Sequence, residues 1–188
     1  MEETWAMIEA RCAKHAPDVL QSLNGPASEE AIAETERELE IQFPMDFRNS
    51  LLIHDGQTFD SPWMLYGWEL LSLERIKSER AVWKGLLDSG DFDGIDSDAD
   101  GEHIRTDWWH ADWVPITYSG SGDHHVLDLA PAAGGQFGQV FRMWHDDGER
   151  LLMGTSFADF LARYAGALAS GDLVYSDDYE AIVSKDEL

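Results

Sequence analysis

An aspartate-rich segment carries the residue spacing most suggestive of chemistry. Five residues fall at positions 1, 3, 5, 6 and 12 of a calcium-loop pattern, namely Asp96, Asp98, Asp100, Gly101 and Asp107. Carboxylate oxygens are the hard ligands that Ca²⁺ prefers. The pattern is incomplete, because its last position normally holds a bidentate Glu, its eighth position is His103, and Trp108-Trp109 follow. Calcium binding by the four aspartates is therefore an alternative interpretation, and we expect no metal or other cofactor.

Two other short groups combine histidine with aspartate. They are Asp123-His124-His125 and His145-Asp146-Asp147, and imidazole together with carboxylate suits zinc or iron. Successive side chains of a strand point to opposite faces, so His124 and His125 cannot readily hold one ion. We interpret both groups as strand-end and turn residues, with a metal site as the alternative.

No motif nominates a catalytic nucleophile. Ser119-Gly120-Ser121-Gly122 lacks the Gly-x-Ser-x-Gly elbow, and it joins two predicted strands instead of a strand and a helix. It also lacks the third glycine of a dinucleotide fingerprint, and no Walker lysine motif is present. Cys12 lies on a predicted amphipathic helix and is interpreted as a small core residue. The sequence therefore indicates a non-enzymatic protein.

The acidic loop, residues 88–112, has the most unusual composition. Nine acidic residues and one basic residue, Arg105, lie in it among several Gly and Ser, which predicts a long solvated loop and not a core element. Trp108, Trp109 and Trp113 lie at its end, and aromatic anchors beside a charged rim are typical of protein interfaces. These three tryptophans either contact a partner or lie at the edge of the core, and the sequence allows both interpretations. The candidate partner-binding residues are Asp91, Asp93, Asp96, Asp98, Asp100, Glu102, Asp107, Trp108 and Trp109.

Four further tryptophans lie in periodic segments and are predicted to be core residues: Trp63, Trp68, Trp83 and Trp144.

The overall charge restricts the classes of partner. The chain has 188 residues, with 13 basic and 37 acidic side chains and a formal net charge of −24. Such a surface repels a phosphate backbone, so we expect no nucleic-acid partner. It attracts basic proteins and speeds their encounter, although acidity also serves solubility alone. We expect a protein partner with a basic surface; the sequence leaves the oligomeric state open.

The sequence predicts a cytoplasmic protein. Cys12 is its only cysteine, which excludes an internal disulfide, and no apolar run approaches the roughly 20 residues of a membrane span. The first residues lack the basic and apolar regions of a secretory signal. Lys185-Asp186-Glu187-Leu188 spell an endoplasmic-reticulum retention signal. Without an entry signal we interpret it as a coincidence.

Helical periodicity dominates the first half of the chain. We predict helices over residues 2–23, from Ser28 as N-cap to about Ile41, from Met45 to Asp55-Gly56, and over roughly residues 74–86. The aromatic run of residues 63–68 favours a strand.

The second half alternates short strands with glycine-containing turns. The predicted strands cover residues 113–118, 124–129, 139–145 and 151–155. Ser156 and Asp159 form a capping-box-like start for a last helix, and the acidic tail of residues 171–188 is expected to be loosely ordered or to add a short element. Together these elements predict a single α+β domain, with a mixed, largely antiparallel sheet and helices packed on one face.

Several ordered motifs resemble the SUKH superfamily. They include Phe43-Pro44, Asp55-Gly56, Trp113-Val114-Pro115-Ile116, Leu127-Asp128-Leu129-Ala130-Pro131 and Ser156-Phe157-Ala158-Asp159-Phe160-Leu161. The resemblance covers about residues 26–168 and implies an α+β sheet flanked by helices. The acidic loop, the first helix and the tail depart from the family pattern.

The resemblance also implies two functions without catalysis. Many bacterial members are immunity proteins that neutralise polymorphic or contact-dependent toxins, often nucleases, and the fungal members regulate cell-wall assembly. Given the acidic loop, our leading expectation is an immunity protein that covers a basic toxin domain. The alternative is a regulatory scaffold for a signalling or cell-wall protein. The family supplies no catalytic residues, and its toxin contacts cannot be transferred to this chain.

Overall fold

The computed structural model describes all residues, 1–188. Its helices are α1 (Glu2–His15), α2 (Pro17–Ser22), α3 (Glu29–Leu39), α4 (Met45–Leu51), α5 (Leu73–Ser89) and α6 (Phe157–Ser170). Its strands are β1 (Glu69–Leu70), β2 (Trp113–Pro115), β3 (Thr117–Tyr118), β4 (His124–Asp128), β5 (Gln139–Met143), β6 (Arg150–Gly154), β7 (Leu173–Ser176) and β8 (Ala181–Ser184). The predicted α+β class is confirmed.

Side-chain caps fix where three of the helices begin. The hydroxyls of Ser28, Ser72 and Ser156 accept hydrogen bonds from backbone N–H groups in the first turns of α3, α5 and α6. Each bond satisfies a donor that the helix itself leaves unpaired. The predicted starts at Ser28 and Ser156 are therefore confirmed.

The helix predicted over residues 2–23 is broken in two. Pro17 has no N–H group, and its ring disfavours the helical conformation of the residue before it. Ala16 accordingly has φ −150°, and Pro17 occupies the first position of α2. The apolar periodicity continues across this break, because Trp5, Ile8, Cys12 and Val19 are all buried.

A four-stranded antiparallel sheet lies at the centre, in the order β2-β4-β5-β6. Two smaller pairs, β1 with β3 and β7 with β8, are also antiparallel. The latter pair forms from the acidic tail, which ends in a 3₁₀ turn, Lys185–Glu187. The strands predicted over residues 124–129, 139–145 and 151–155 are thus present. The strand predicted over residues 113–118 is divided into β2 and β3, which belong to different sheets, and the aromatic run supplies only isolated bridges.

Both faces of the central sheet are covered, whereas the sequence predicts helices on one face only. Strand β4 shows the reason, because alternate side chains enter different clusters. Leu127 belongs to a large cluster of 28 buried residues with α1 and α6. Val126 belongs to a second cluster of seven, which Trp83 of α5 joins. Apolar residues on both faces of one strand require cover on both sides.

The acidic loop supplies part of that cover, so the expectation of a solvated loop outside the core is wrong. Ile104 and Trp109 are each 2% exposed and belong to the second cluster, and Phe92 and Ala99 pack against it. These apolar residues are spread among aspartates, so the local composition conceals them. The loop therefore has a buried underside and a charged outer surface.

None of the helices combines the length and apolarity that crossing a membrane requires.

Candidate functional site

The outer surface of the acidic loop presents most of the predicted contact carboxylates. Six of these side chains are exposed: Asp91, Asp93, Asp96, Asp98, Asp100 and Glu102. Asp107 is half-buried, and its carboxylate lies 2.7 Å from Nε of Arg105. These acidic residues are near neighbours in the sequence, and the structure leaves most of them exposed with few basic side chains to neutralise them.

Two buried arginines fix the backbone beneath this surface. Arg80 of α5 donates to the carbonyl oxygen of Ala111 at 2.7 Å, and Arg150 of β6 donates to that of Trp108 at 2.9 Å. Burial lowers the pKa of Arg80, and it lowers the pKa of Arg150 to about 10. The nearby carboxylates Asp98 and Asp147 oppose the shift at Arg150. The end of the loop is therefore held by two charged donors, one from α5 and one from β6.

The tryptophans of the loop differ in their access to a partner. Trp109 is 2% exposed and stacks on Trp83, with ring centroids 4.9 Å apart, and Trp113 is fully buried. Trp109 is therefore a core residue in this structure, because its ring fills the space between α5 and the sheet. Trp108 keeps partial exposure, with the Arg150 guanidinium 5.1 Å from its ring centroid.

The four aspartates of the calcium pattern do not converge on one point. The carboxylate of Asp100 accepts hydrogen bonds from the backbone N–H groups of Glu102, His103 and Ile104, and contacts the His103 ring at 2.8 Å. These bonds lower the pKa of Asp100 to about 2, with the His103 N–H as the largest cause. Asp100 thus organises a turn, and no three metal-ligating side chains of the loop lie together.

The metal-ligand types do meet elsewhere, at Asp123, His145 and Asp146. Asp123 is saturated, however, since one oxygen accepts from the backbone and ring of His145, and the other from Ser119 and Ser121. The serines donate to Asp123 and not to His145, so the nucleophile–base contact that catalysis requires is not formed. This group closes the β3–β4 turn onto the end of β5.

The adjacent histidines lie on opposite faces of the sheet, as predicted. Nε2 of His124 accepts from the Trp83 indole, and its Nδ1 lies 2.6 Å from the Thr117 carbonyl oxygen. The His125 ring packs against Phe160 of α6, with centroids 5.2 Å apart. Burial lowers the pKa of His124 to about 4 and that of His125 to about 3. Both are therefore neutral structural residues near pH 7.

A second surface feature, here called the aromatic groove, has a volume of about 340 Å³. Its aromatic lining consists of Trp63, Tyr66, Trp68, Trp144 and Tyr179, over a floor that includes His125. The sequence predicts that Trp63, Trp68 and Trp144 are core residues, but all three are partly exposed. The only signal in the sequence is the dense aromatic run of residues 63–68, because the other walls come from distant segments.

Comparison with known proteins gives fungal relatives. The chain is 28% identical over 95% of its length to the cell wall biosynthesis/cell cycle regulator smi1 of Schizosaccharomyces pombe, of which it covers 38%. It is 23% identical over 97% of its length to the cell wall assembly regulator SMI1 of Saccharomyces cerevisiae, covering 43%. It is also 23% identical over 93% of its length to a glucan synthesis regulatory protein of Neurospora crassa, covering 40%. The chain thus spans about two fifths of these relatives.

These relatives overturn the leading functional expectation. The names of the similar proteins describe regulators of cell-wall assembly and glucan synthesis, and none describes immunity to a toxin. The interpretation as a toxin-neutralising immunity protein is therefore wrong, and the regulatory alternative is favoured. The fold by itself does not distinguish the two functions, because one fold can carry different functions.

The model of the SMI1/KNR4 family, SUKH-1, matches residues 26–163. The matched region runs from the segment before α3 to the middle of α6, and it contains the whole central sheet. It also contains the acidic loop and most of the aromatic groove. The chain belongs to the SMI1/KNR4 family (SUKH-1).

Proposed function

We propose that this chain is a protein-binding module of a cell-wall assembly regulator, and that the outer surface of the acidic loop is its contact surface. The observation that carries the proposal is the loop itself: six exposed carboxylates stand on a backbone that buried apolar and arginine side chains fix from beneath. A fixed charged surface loses little conformational freedom when it binds. The partner is a protein with a basic surface, and no catalysis is involved.

Electrostatics supports this choice of partner. The net charge of −24 accelerates the encounter with a basic surface and opposes binding to acidic proteins and nucleic acids. Trp108, at the end of the loop, offers a partly exposed ring beside the charges, as aromatic anchors do in protein interfaces. We also propose a cytoplasmic location, in keeping with the single, unpaired and buried Cys12.

The test is a chimera in which this chain replaces the matching segment of the fission-yeast relative. In one variant Asp91, Asp93, Asp96 and Asp98 become Asn, which spares the turn-forming Asp100. A matched control replaces four exposed carboxylates of α1 and α3, namely Glu2, Glu3, Glu30 and Glu34, by Gln. The total charge of the two variants is the same, so only the position of the lost charges differs.

We expect the unmodified chimera and the control to restore growth under cell-wall stress in cells lacking the relative, and the loop variant to fail. A partner recovered with the control should bind the control faster than it binds the loop variant at low salt. The difference should shrink at high salt, because salt screens the attraction by exposed charges. Equal growth and equal salt dependence of the two variants would show that the contact lies elsewhere.

A further inference from the structure

The aromatic groove lies on the opposite face of the central sheet from the acidic loop. His125 of β4 forms part of its floor, whereas His124 points into the second cluster beneath the loop. Trp144 and Met153 continue the lining from the end of β5 and from β6. The groove is therefore separate from the surface proposed above.

A strained turn holds two of the aromatic rings in place. Leu65 and Trp68 exchange both backbone hydrogen bonds at 3.0 Å, and between them Tyr66 and Gly67 have φ of 52° and 80°. Positive φ at both central residues belongs to a type I′ turn, in which tyrosine is unfavourable by about 1 kcal/mol or more. The turn places the Trp68 ring 4.5 Å from the His125 ring and 5.6 Å from the Trp144 ring, centroid to centroid.

Close packing positions a third ring. Gly120 has φ +88°, and a Cβ atom there would lie 2.8 Å from Cη2 of Trp63. A side chain at this position would displace the indole, so the sequence keeps a glycine where the ring must approach the backbone. Trp63 also lines an adjoining depression of about 360 Å³, together with Tyr179. The two depressions share Trp63 and Tyr179 in their walls, so they adjoin and together make a longer track.

The charges along this track are mainly negative and unpaired. Glu187 lines the groove, Asp60 and Glu180 line the adjoining depression, and none of the three forms an ion pair. The one basic residue of the groove, Arg142, is already paired with Glu149 at 2.9 Å and lies 4.8 Å from the Trp144 ring centroid. A ligand therefore meets aromatic faces and free carboxylates.

We propose that the aromatic groove binds an extended, proline-containing peptide segment that carries basic side chains. Aromatic-lined grooves accept polyproline II segments, which lose little conformational entropy on binding. Lysine or arginine side chains of the peptide are favoured both by the free carboxylates and by the faces of the aromatic rings. A neutral polysaccharide also stacks on aromatic rings, but it leaves the three carboxylates without a counterpart.

The experiment is a titration of the full chain, followed by tryptophan fluorescence and calorimetry. The probe is a synthetic peptide of repeated Pro-Pro-Arg units. A Gly-Gly-Arg peptide of equal charge controls for attraction by the net charge, a Pro-Pro-Ser peptide removes the basic groups, and a soluble β-glucan oligosaccharide represents the polysaccharide. We expect the Pro-Pro-Arg peptide to bind more tightly than the other three.

Two groove variants test the location of binding. Trp144→Ala removes a partly exposed ring and should weaken binding about three- to tenfold, the effect of losing one cation–π or stacking contact. The triple variant Asp60→Asn, Glu180→Gln, Glu187→Gln changes only exposed side chains, so the protein should still fold. It should weaken peptide binding by a similar factor and make that binding less dependent on salt. The acidic-loop variant should bind the peptide as the unmodified chain does.

Several results would overturn the proposal. They are equal binding of the Gly-Gly-Arg and Pro-Pro-Arg peptides, binding of the β-glucan alone, or unchanged peptide affinity in both groove variants. Loss of peptide binding in the acidic-loop variant alone would place the peptide on the loop. The growth assay of the chimera reports on the loop independently, so either idea can fail without the other.

Discussion

The neighbouring residues His124 and His125 show how position decides the chemistry of identical side chains. His124 bridges a carbonyl oxygen and the Trp83 indole, so its proton is assigned to Nδ1. The Thr117 hydroxyl accepts from the His125 backbone N–H and lies 3.0 Å from Nδ1 of that ring, so the hydroxyl proton points at Nδ1 and the ring proton is assigned to Nε2. Each ring has the tautomer that its own face of the sheet requires.

These buried rings predict acid sensitivity. The pKa values of His124 and His125 fall from 6.5 to about 4 and about 3 in the folded chain. Between the unfolded and the folded pKa the unfolded chain binds more protons than the folded one. The stability that the neutral rings contribute is therefore fully present above about pH 6.5 and is lost as the pH falls towards the folded pKa values. The slope should rise from about half of 1.4 kcal/mol per pH unit for each histidine at pH 6.5 towards the full value near pH 5, as measured by urea unfolding over this range.

The variant His125→Phe isolates one of these contributions. A phenyl ring suits the surrounding Tyr66, Trp68 and Phe160 rings, although the contact between the imidazole Nδ1 and the Thr117 hydroxyl is lost. We expect the variant to be less stable at pH 7. Its free energy of unfolding should change less with pH, because one proton fewer is taken up on unfolding in acid. An unchanged slope would contradict the burial of His125 as a neutral ring.

At the scale of elements, the acidic loop depends on residues that lie outside it. Its end is attached to α5 through Arg80 and to β6 through Arg150, and both guanidinium groups bond to backbone carbonyls of the loop. Buried carbonyls of an irregular segment need hydrogen-bond donors from elsewhere, and here two arginine side chains supply them at the end of the loop. The two arginines therefore help to fix the position of the acidic surface relative to α5 and the sheet.

We predict that Arg150→Ala loosens the acidic loop. The substitution leaves the carbonyl oxygens of Trp108, Asp147 and Glu149 without their donor and opens a cavity, which should lower the free energy of unfolding by about 2–4 kcal/mol. Amide hydrogen exchange should accelerate across residues 88–112. Urea unfolding and exchange mass spectrometry measure the two effects.

Arg163→Ala provides the comparison. Arg163 pairs with Asp159 at 3.0 Å, but its side chain is 62% exposed, so its loss should change stability by less than about 1 kcal/mol. Equal effects of the two substitutions, or faster exchange spread over all elements, would argue against a specific anchor at Arg150.

At the scale of the whole molecule, the charge opposes folding. Thirty-seven acidic residues face 13 basic ones, and the compact state brings these like charges together. The two buried arginines offset only a small part of the repulsion. The molecule therefore retains a surface suited to attracting basic partners at some loss of stability.

Salt should accordingly stabilise the protein. We expect the unfolding temperature to rise as ionic strength increases from about 0.01 M to about 0.15 M, where the screening length shortens from about 30 Å to about 8 Å. Differential scanning fluorimetry with sodium chloride measures the shift, and the loop variant with four fewer charges should show a smaller one. A decrease with salt would mean that ion pairs outweigh the repulsion.

Local patterns were sufficient for most elements. Serine caps, apolar periodicity and glycine-containing turns predicted the starts of α3 and α6 and the strands of the second half, because these signals act within a few residues. The break before Pro17 follows from the same local rules and divides the helix predicted over residues 2–23. The motifs also indicated the superfamily, which the family match confirms. A single domain over residues 1–188 stays a prediction.

The sequence alone determined the element types, the family and the acidic character, since each depends on short spacing or on composition. Only the tertiary structure decided which side chains are available. It buried Trp109 on the underside of the acidic loop and left Trp63, Trp68 and Trp144 partly exposed in the groove. Exposure depends on the partners that distant segments bring, and residues 63–68, 119–153 and 179–187 meet only after the chain has folded.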